Sequence, residues 1–520
     1  MRAAVLVLLL AAGGARGADP SPVTFDAVMT AAADDAERLP TEVARYTRYL
    51  TAYHLQPEAR RELFAVLCYH VNGLSREVKL TAPREVAEWL WAVDLRDYRW
   101  DAGVWENLAP KNVYFCVVAD IKLVPGVPPI QPVPPPVKKT RKVLVGPDRN
   151  GFYREVVEEY EEPGPVKPAP PAAVPVKEEK GKAIPAPWLS PRAVARLGVR
   201  TGSVTPVVRA DHFIRLTGVQ SGNEGHGYYD FLGLGKKLAD AEKQAKLDRA
   251  GAIEIYRELA GIVPVSGVAL FGRQVFRFQT IAGSWWESRD TKEPTKRRDP
   301  VTNLLDDFQF DATEIVASLP NGLPFFFLAD KDGNRQDTAP DFIAADHRST
   351  NNDRRVHVGM SCIACHADGG LRDIKDYARR IYDPEKGLAL AALAADDAKA
   401  RRIHSVYLGP LKKAYDRDVR DYGEAIEGAC GLKGKELPKA YEREWSRYLD
   451  DPVTLVKAAA ECGTTPAALR DRLRTAAKQK LGLTDAVLAV YLLDDPPPVR
   501  REAFEERMVL LMVILGGGNP

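Results

Sequence analysis

Apolar positions recur at helical spacing along much of this chain, broken by shorter stretches that alternate or run apolar. Pro40-Thr41-Glu42 predicts a helix start, with Val43, Tyr46, Leu50 and Tyr53 three or four residues apart after it. A second helix is predicted from about Pro57, with Leu63, Leu67 and His70 on one face. WLWAVDL (89–95) and VYFCVV (113–118) read as strands, and Asp101 is placed to cap a short helix reaching Leu108. Leu238 to Leu259 reads as one charged helix. VSGVALF, RQVFRFQTI and TEIVASL read as strands, and LPFFFLADKDGNRQD (323–337) as a hairpin turning at Asp332-Gly333. Beyond residue 370 helical periodicity dominates, clearest in KDYARRIY, VYLGPLKKAYDRDVRDYGEAI, TLVKAAAECG and PAALRDRLRTAAKQKL. The apolar run Met508 to Leu515 is too short to span a bilayer and predicts a last packed helix. No internal repeat is present. The expected class is α+β, a mixed α/β body followed by a mainly α-helical C-terminal region.

Composition changes this picture at one place. Of the 39 prolines, 16 fall in the 63 residues 125–187, too many for a packed core. This stretch is expected to be an extended, mobile insertion or linker, with binding of another protein as the rarer use. Inside it, RKVLVGPDRNGFYREVVEEY can form an isolated hairpin turning at Asp148-Arg149-Asn150-Gly151. The expected organisation is therefore 1–17, 18–124, 125–187, 188–370 and 371–520. The first segment has Arg2, an apolar run from Ala3 to Ala12 and a small-residue site at Ala15-Arg16-Gly17, the pattern of a secretory signal. Export to the periplasm or beyond is expected, with no transmembrane segment left after cleavage. The chain carries 73 basic and 71 acidic residues, so no polyanion footprint shows and no nucleic-acid partner is expected.

Residues 362–366 read Cys-Ile-Ala-Cys-His, and three chemistries use such residues. Haem c attachment needs two thiols that add to the two vinyl groups and a histidine directly after them that reaches the iron. A short turn leading into a helix meets all three needs at this spacing. A zinc site would need a second ligand pair, and the chain holds no other Cys-x-x-Cys or His-x3-His. A thioredoxin-like dithiol sits between a strand and a helix and has no need of the histidine. With six cysteines and eight histidines in 520 residues, chance produces this pattern in roughly one chain in a thousand. One covalent haem c is the leading expectation, with Cys362 and Cys365 as its anchors and His366 as the proximal iron ligand. The dithiol and the metal site stay as alternatives.

The other side of the iron stays open. His404, His347, His357, His226, Met508 and Met512 are candidates, and so is a five-coordinate iron. The remaining cysteines, Cys68, Cys116, Cys430 and Cys462, can pair, for instance 430 with 462, or stand as buried thiols. Three further stretches invite a function and do not sustain it. DKDGNRQD (330–337) has glycine fourth rather than sixth and no closing glutamate, so it reads as a turn and not a calcium loop. GLGKK (233–237) lacks the spacing and the Ser or Thr of a phosphate loop. TLVKAAAECGTTPAALRDRLR (454–474) has a helix-turn-helix pattern, but in an exported, near-neutral chain it reads as a packing hairpin. No catalytic triad or nucleophile elbow is legible.

LPNGLPFFFLADKDGNRQDTAPDFI (319–343) followed by VHVGMSCIACHADGG (356–370) resembles a group of secreted bacterial, planctomycete-type cytochrome c-like domain proteins. VDLRDYRWDAGVWENLAP (93–110), RADHFIRLTG (209–218) and YYDFLGLGKKLAD (228–240) extend the resemblance over about 40–120 and 205–370. It implies the same haem residues, Cys362, Cys365 and His366, and no particular reaction. In such chains the 93–110 and 209–218 blocks lie closer together, which implies that 125–187 is inserted within one domain. They commonly carry other residues where this chain has Val358 and Met360, so the resemblance supports neither His357 nor Met360 as a ligand. The expected function is one-electron transfer to an unidentified redox protein by an exported mono-haem cytochrome-like chain. A haem oxidoreductase acting on a small molecule, or an envelope interaction protein with haem as a structural element, are the other classes.

Overall fold

The structure is a computed structural model that describes residues 22–118, 137–145, 154–162, 182–220, 222, 224–254, 258–263, 271–293, 295, 297–339, 355–366, 370–382, 397–449, 452–478 and 485–516. The secretory-signal residues, the Asp148–Gly151 turn and almost all of VSGVALF fall outside these. The chain divides into two units, one of Met1–Val117 with Ala183–Pro520 and one of Val118–Lys182. It is α+β. Among the described residues no helix is long and apolar enough to cross a membrane.

Thirteen strands are described. In the large unit β1 (Thr47–Thr51), β2 (Arg84–Ala87), β3 (Leu90–Asp94) and β8 (Val207–Arg209) form one sheet in the order β2-β3-β1-β8. β1 runs antiparallel to β3 and parallel to β8. Cys116–Val118 (β4) pairs with Ala183–Pro185 (β7). Strands on both sides of the Pro-rich stretch thus pair with one another, so the polypeptide leaves this unit and returns to it. In the small unit, β5 (Val137–Val145) and β6 (Arg154–Glu162) form an antiparallel hairpin in register from Val137↔Glu162 to Val145↔Arg154.

β1 corrects the helix expected through Tyr53. The helix is a single turn, Thr41–Ala44, and the chain then extends. The 43, 46, 50, 53 spacing imitates a helix because β1 is buried on both faces. Tyr49 enters one core and Leu50 another. The same split holds for β3, where Trp91 and Val93 face the first core and Leu90 and Ala92 the second. The sheet therefore separates two hydrophobic cores.

The second core joins the helix Phe25–Arg38 to Pro191–Thr201 and to the C-terminal helices Leu455–Glu461, Pro466–Lys478 and Met508–Gly516. Both helices of the helix-turn-helix-like stretch spend their apolar residues here, Ala458, Ala459, Leu469 and Leu473. The first core joins Pro57–Gly73, Ala210–Thr217 and Glu436–Leu449 to a second sheet. Boundaries expected at 124, 188 and 370 do not separate these cores, because each core draws residues from before, between and after them.

The second sheet is an antiparallel meander, β13-β12-β11-β10-β9, built from Glu258–Val263 (β9), Arg273–Gln279 (β10), Ser284–Asp290 (β11), Ala312–Ser318 (β12) and Pro324–Asp330 (β13). The single helix expected from Leu238 to Leu259 is instead two short ones, Leu238–Ala245 and Arg249–Glu254, running into β9. Lys246 breaks them apart in the left-handed region, at φ 53°. β11, with Trp285 and Trp286 buried in different cores, carries no clean period in sequence and is the central strand. At the tip after β13, Asp330 accepts the backbone N–H groups of Asp332 and Asn334, and Gly333 turns at φ 72°. The acidic DKDGN stretch is thus spent on its own turn.

β13 is an edge strand, and two consecutive tyrosines close that edge. The Phe326 N–H donates to the Tyr228 hydroxyl and the Leu328 N–H to the Tyr229 hydroxyl, each at 3.0 Å. Covering alternate N–H groups in this way removes the unpaired row that invites another strand. The same bonds tie β13 to the helix Tyr228–Leu232.

Candidate functional site around residues 360–370

The helix Met360–His366 starts at a backbone position only glycine suits. Gly359 has φ 80°, and a Cβ there would lie 2.5 Å from the Gly218 carbonyl oxygen and 2.9 Å from the Tyr228 ring. Met360 then donates its N–H to that Gly218 oxygen at 2.7 Å, pinning the first turn to the end of Ala210–Thr217. Residues at i, i+3 and i+4 share a helix face. Met360, Ser361 and Ile363 are buried, while Cys362, Cys365 and His366 are half-buried. The three motif residues therefore stand together on the less buried side of one short helix.

His366 is oriented from two directions. Its Nδ1 lies 3.1 Å from the Gly370 carbonyl oxygen. A carbonyl oxygen only accepts, so Nδ1 carries the proton and Nε2 carries the lone pair. The imidazole also packs on the Phe326 ring of β13, centroids 5.5 Å apart. Gly370 can come this close because it has φ 73° and its missing Cβ would strike the Tyr422 ring at 2.5 Å. The two glycines that bracket the motif are thus required by close approach as well as by φ.

Below the helix lies a hydrogen-bond chain in which every proton can be placed. Thr217 Oγ1 donates to the Phe213 carbonyl at 2.7 Å, so it accepts from His70 Nε2 at 2.7 Å. His70 Nδ1 is then the lone-pair nitrogen and accepts from the Tyr441 hydroxyl at 2.8 Å. Burial pushes the His70 pKa down to about 3, so this histidine stays neutral. The chain locks Pro57–Gly73, Ala210–Thr217 and Glu436–Leu449 together, and the last of these packs directly on the motif helix. In the sequence, His70 shows only as one polar residue on an apolar helix face.

The residues considered for the far side of an iron are dispersed. Met508 and Met512 lie in the second core, whereas Ile363 of the motif helix lies in the first. His404 is exposed on the helix Asp397–Tyr407, whose Ile403, Val406 and Tyr407 face the core. His226 is buried with Nε2 3.4 Å from a Glu224 carboxylate oxygen. His357 stands one turn ahead of the motif, its backbone engaged with Ser361 and bridged to Thr338. Met360 is buried against Gly218 and near the Tyr441 hydroxyl. His347 falls outside the described residues. The structure draws no disulfide among the six cysteines. Among the described residues no three His, Cys, Asp or Glu side chains converge as a metal site.

A second polar cluster had no sequence signal beyond its scattered charges. Arg209, with no exposed side-chain surface, lies 2.5 Å from Asp211 Oδ2 and 2.7 Å from Glu461 Oε2. Arg501 grips the same Glu461 carboxylate at 2.6 and 2.8 Å, and the Tyr114 hydroxyl donates to it at 2.9 Å. The Arg209 guanidinium stacks on the Tyr114 ring at 4.0 Å, and His54 Nε2 lies 3.2 Å from Asp211. Burial alone would raise both carboxyls, but Arg209 with His54 overcomes this at Asp211, and Arg209 with Arg501 at Glu461. Both are held below the usual carboxylate range.

The residues present fit a covalent haem. Two thiols three residues apart share a helix face with an imidazole whose proton is placed on Nδ1 and whose lone pair is on Nε2. The ring beside that imidazole is the apolar Phe326. No known family model, curated protein or solved structure matches this chain.

Proposed function

We propose that this chain is an exported, mono-haem c-type cytochrome-like protein that passes single electrons to a redox partner. The observation that carries the reading is the helix face shared by Cys362, Cys365 and His366, with the Gly370 carbonyl setting the His366 tautomer. Cys362 and Cys365 would hold the group by thioethers and His366 Nε2 would be its proximal ligand. When bound, the group supplies a one-electron couple. The protein's share is to fix the imidazole through Gly370 and Phe326, and to anchor the helix through Met360 N–H and Gly218. Cys362, Cys365 and His366, which would hold the group, are themselves only half-buried. The three residues, the cofactor and the export rest on the sequence pattern and the resemblance together with this geometry.

A haem-stained gel of the chain made with a c-type maturation system tests the reading. A stained band is expected, and it should vanish when Cys362→Ser and Cys365→Ser are combined. His366→Ala should keep the stain, because the thioethers remain, while changing the absorption spectrum. An unstained wild-type band, or a stain surviving the double replacement, rejects haem attachment. An unstained band that loses two alkylatable thiols at 362 and 365 on oxidation would put a dithiol in its place.

A further inference from the structure

The hairpin of the small unit is a sheet of two strands only, and no helix accompanies it among the described residues of that unit. β5 and β6 have nine residues each, paired along their whole length. Two strands without a third, or a helix packed on them, are marginal in water. Both outer edges present backbone N–H and C=O groups with no strand to take them.

Charge divides the two edges. β5 carries Lys138, Lys139, Arg141 and Lys142 and no acid, a charge of +4. β6 carries Glu155, Glu158, Glu159, Glu161 and Glu162 against Arg154 alone, a charge of −4. Pairing within the hairpin does not use this charge up. In register, only Lys138↔Glu161 and Arg141↔Glu158 set opposite charges directly across from each other. Lys139 and Lys142 stand across from Tyr160 and Val157, and Glu155, Glu159 and Glu162 from Leu144, Thr140 and Val137.

We propose that the hairpin is where copies of this chain join, the β5 edge of one copy adding to the β6 edge of another. Edge addition supplies the missing strand through backbone hydrogen bonds. Charge decides which strand is taken. β5 against β5, or β6 against β6, sets like charges along the whole junction and is unfavourable. Charged edges also turn away apolar strands. β5 against β6 sets basic against acidic, and the chain itself supplies both. Each junction leaves one β5 edge and one β6 edge unused, so association is head-to-tail and proceeds stepwise. It needs no residue of the large unit and stands apart from the haem reading.

Sedimentation of the full chain over a range of concentrations tests this. At about 0.01 M salt, where charges act over about 30 Å, the weight-average mass is expected to rise with concentration. At about 1 M salt, where that length is about 3 Å, it should return to the monomer value. Lys138→Glu, Lys139→Glu, Arg141→Glu and Lys142→Glu together should leave a monomer in both. That variant also loses the complement within its own hairpin, so a second one adds Glu155→Lys, Glu158→Lys, Glu159→Lys and Glu161→Lys. With the charges exchanged between the strands, association at low salt should return. In a mixture of isotope-labelled and unlabelled wild-type chain, a zero-length carbodiimide should link Lys138, Lys139 or Lys142 of one copy to β6 glutamates of another. A wild-type chain that stays monomeric at every concentration in low salt overturns the proposal. So does association that survives the β5 replacement, and so do mixed-label links found only outside the two strands.

Discussion

The motif helix and the Arg209–Glu461 cluster both place chemistry-bearing side chains inside one protein, and they do so in opposite ways. The cluster is dense in charge but closed: two guanidiniums and two carboxylates neutralise one another, with Tyr114 and His54 completing the set. Residues 362–366 carry modest groups on a half-buried face, with only the orientation of the imidazole prescribed. In the cluster the charged groups are engaged with one another. Its members come from residues 54, 114, 209, 211, 461 and 501, so it acts as a clasp between distant parts of the chain. Perturbed ionisation, the usual pointer to a site, here marks structure. The candidate site is marked by spacing and tautomer instead.

That contrast can be attacked directly. Glu461→Ala should destabilise most, by about 3–5 kcal/mol in urea unfolding, because Arg209 and Arg501 stay buried without their shared carboxylate. Haem stain per folded molecule should be unchanged in it. A stain loss out of proportion to unfolding would show that the two regions are one functional unit.

Acid should come next. Burial leads in pushing the folded pKa of His70 down to about 3 and of His212 to about 4. The unfolded chain binds these protons below about 6.5 and the folded chain does not, so stability is full above that pH and falls as pH drops. The loss is on the order of 1.4 kcal/mol per pH unit for each histidine. Below about 4, Asp211 and Glu461 add to it with the same sign, since their folded pKa values are depressed. Urea midpoints at pH 7 and pH 5 measure this, and a flat profile would contradict the neutral, buried state of both histidines.

Tyr441→Phe should cost about 1–3 kcal/mol, since it leaves His70 Nδ1 a buried acceptor without its donor. The same variant should loosen the support under the motif helix without touching the motif. Phe326→Leu should cost least, about 1 kcal/mol, while altering the spectrum of any haem bound through His366. An unaltered spectrum would mean that the Phe326 ring has no part in setting the imidazole.

Much of the local structure was legible. The Pro57–Gly73 helix, the Asp101-capped turn, β3, β10, β12 and the Gly333 turn all follow from periodicity and capping that act within a few residues. What misled was burial on both faces. In β1 and β11 adjacent large residues, Tyr49 with Leu50 and Trp285 with Trp286, enter different cores. Their pattern therefore has no period of two. Leu238 to Leu259 failed for another reason: its charged periodicity persists while Lys246 turns left-handed and β10 captures Glu258 onward as a strand. In the candidate site, the sequence singled out Cys362, Cys365 and His366, which the structure sets on one helix; Phe326, Tyr441 and His70 carried no signal, because what they do depends on contacts far along the chain.

By itself the sequence determined that two thiols and an imidazole share one side of a single helical turn. Backbone geometry makes residues at i, i+3 and i+4 neighbours wherever a helix forms. It also set the α+β class and the compositional break at the Pro-rich stretch. The tertiary structure alone decided which nitrogen of His366 carries the proton, since that rests on a carbonyl delivered by Gly370 and a close approach to Tyr422. It alone gathered six distant residues into a neutral clasp. These outcomes depend on which surfaces meet in the cores, and no local pattern along the chain encodes that.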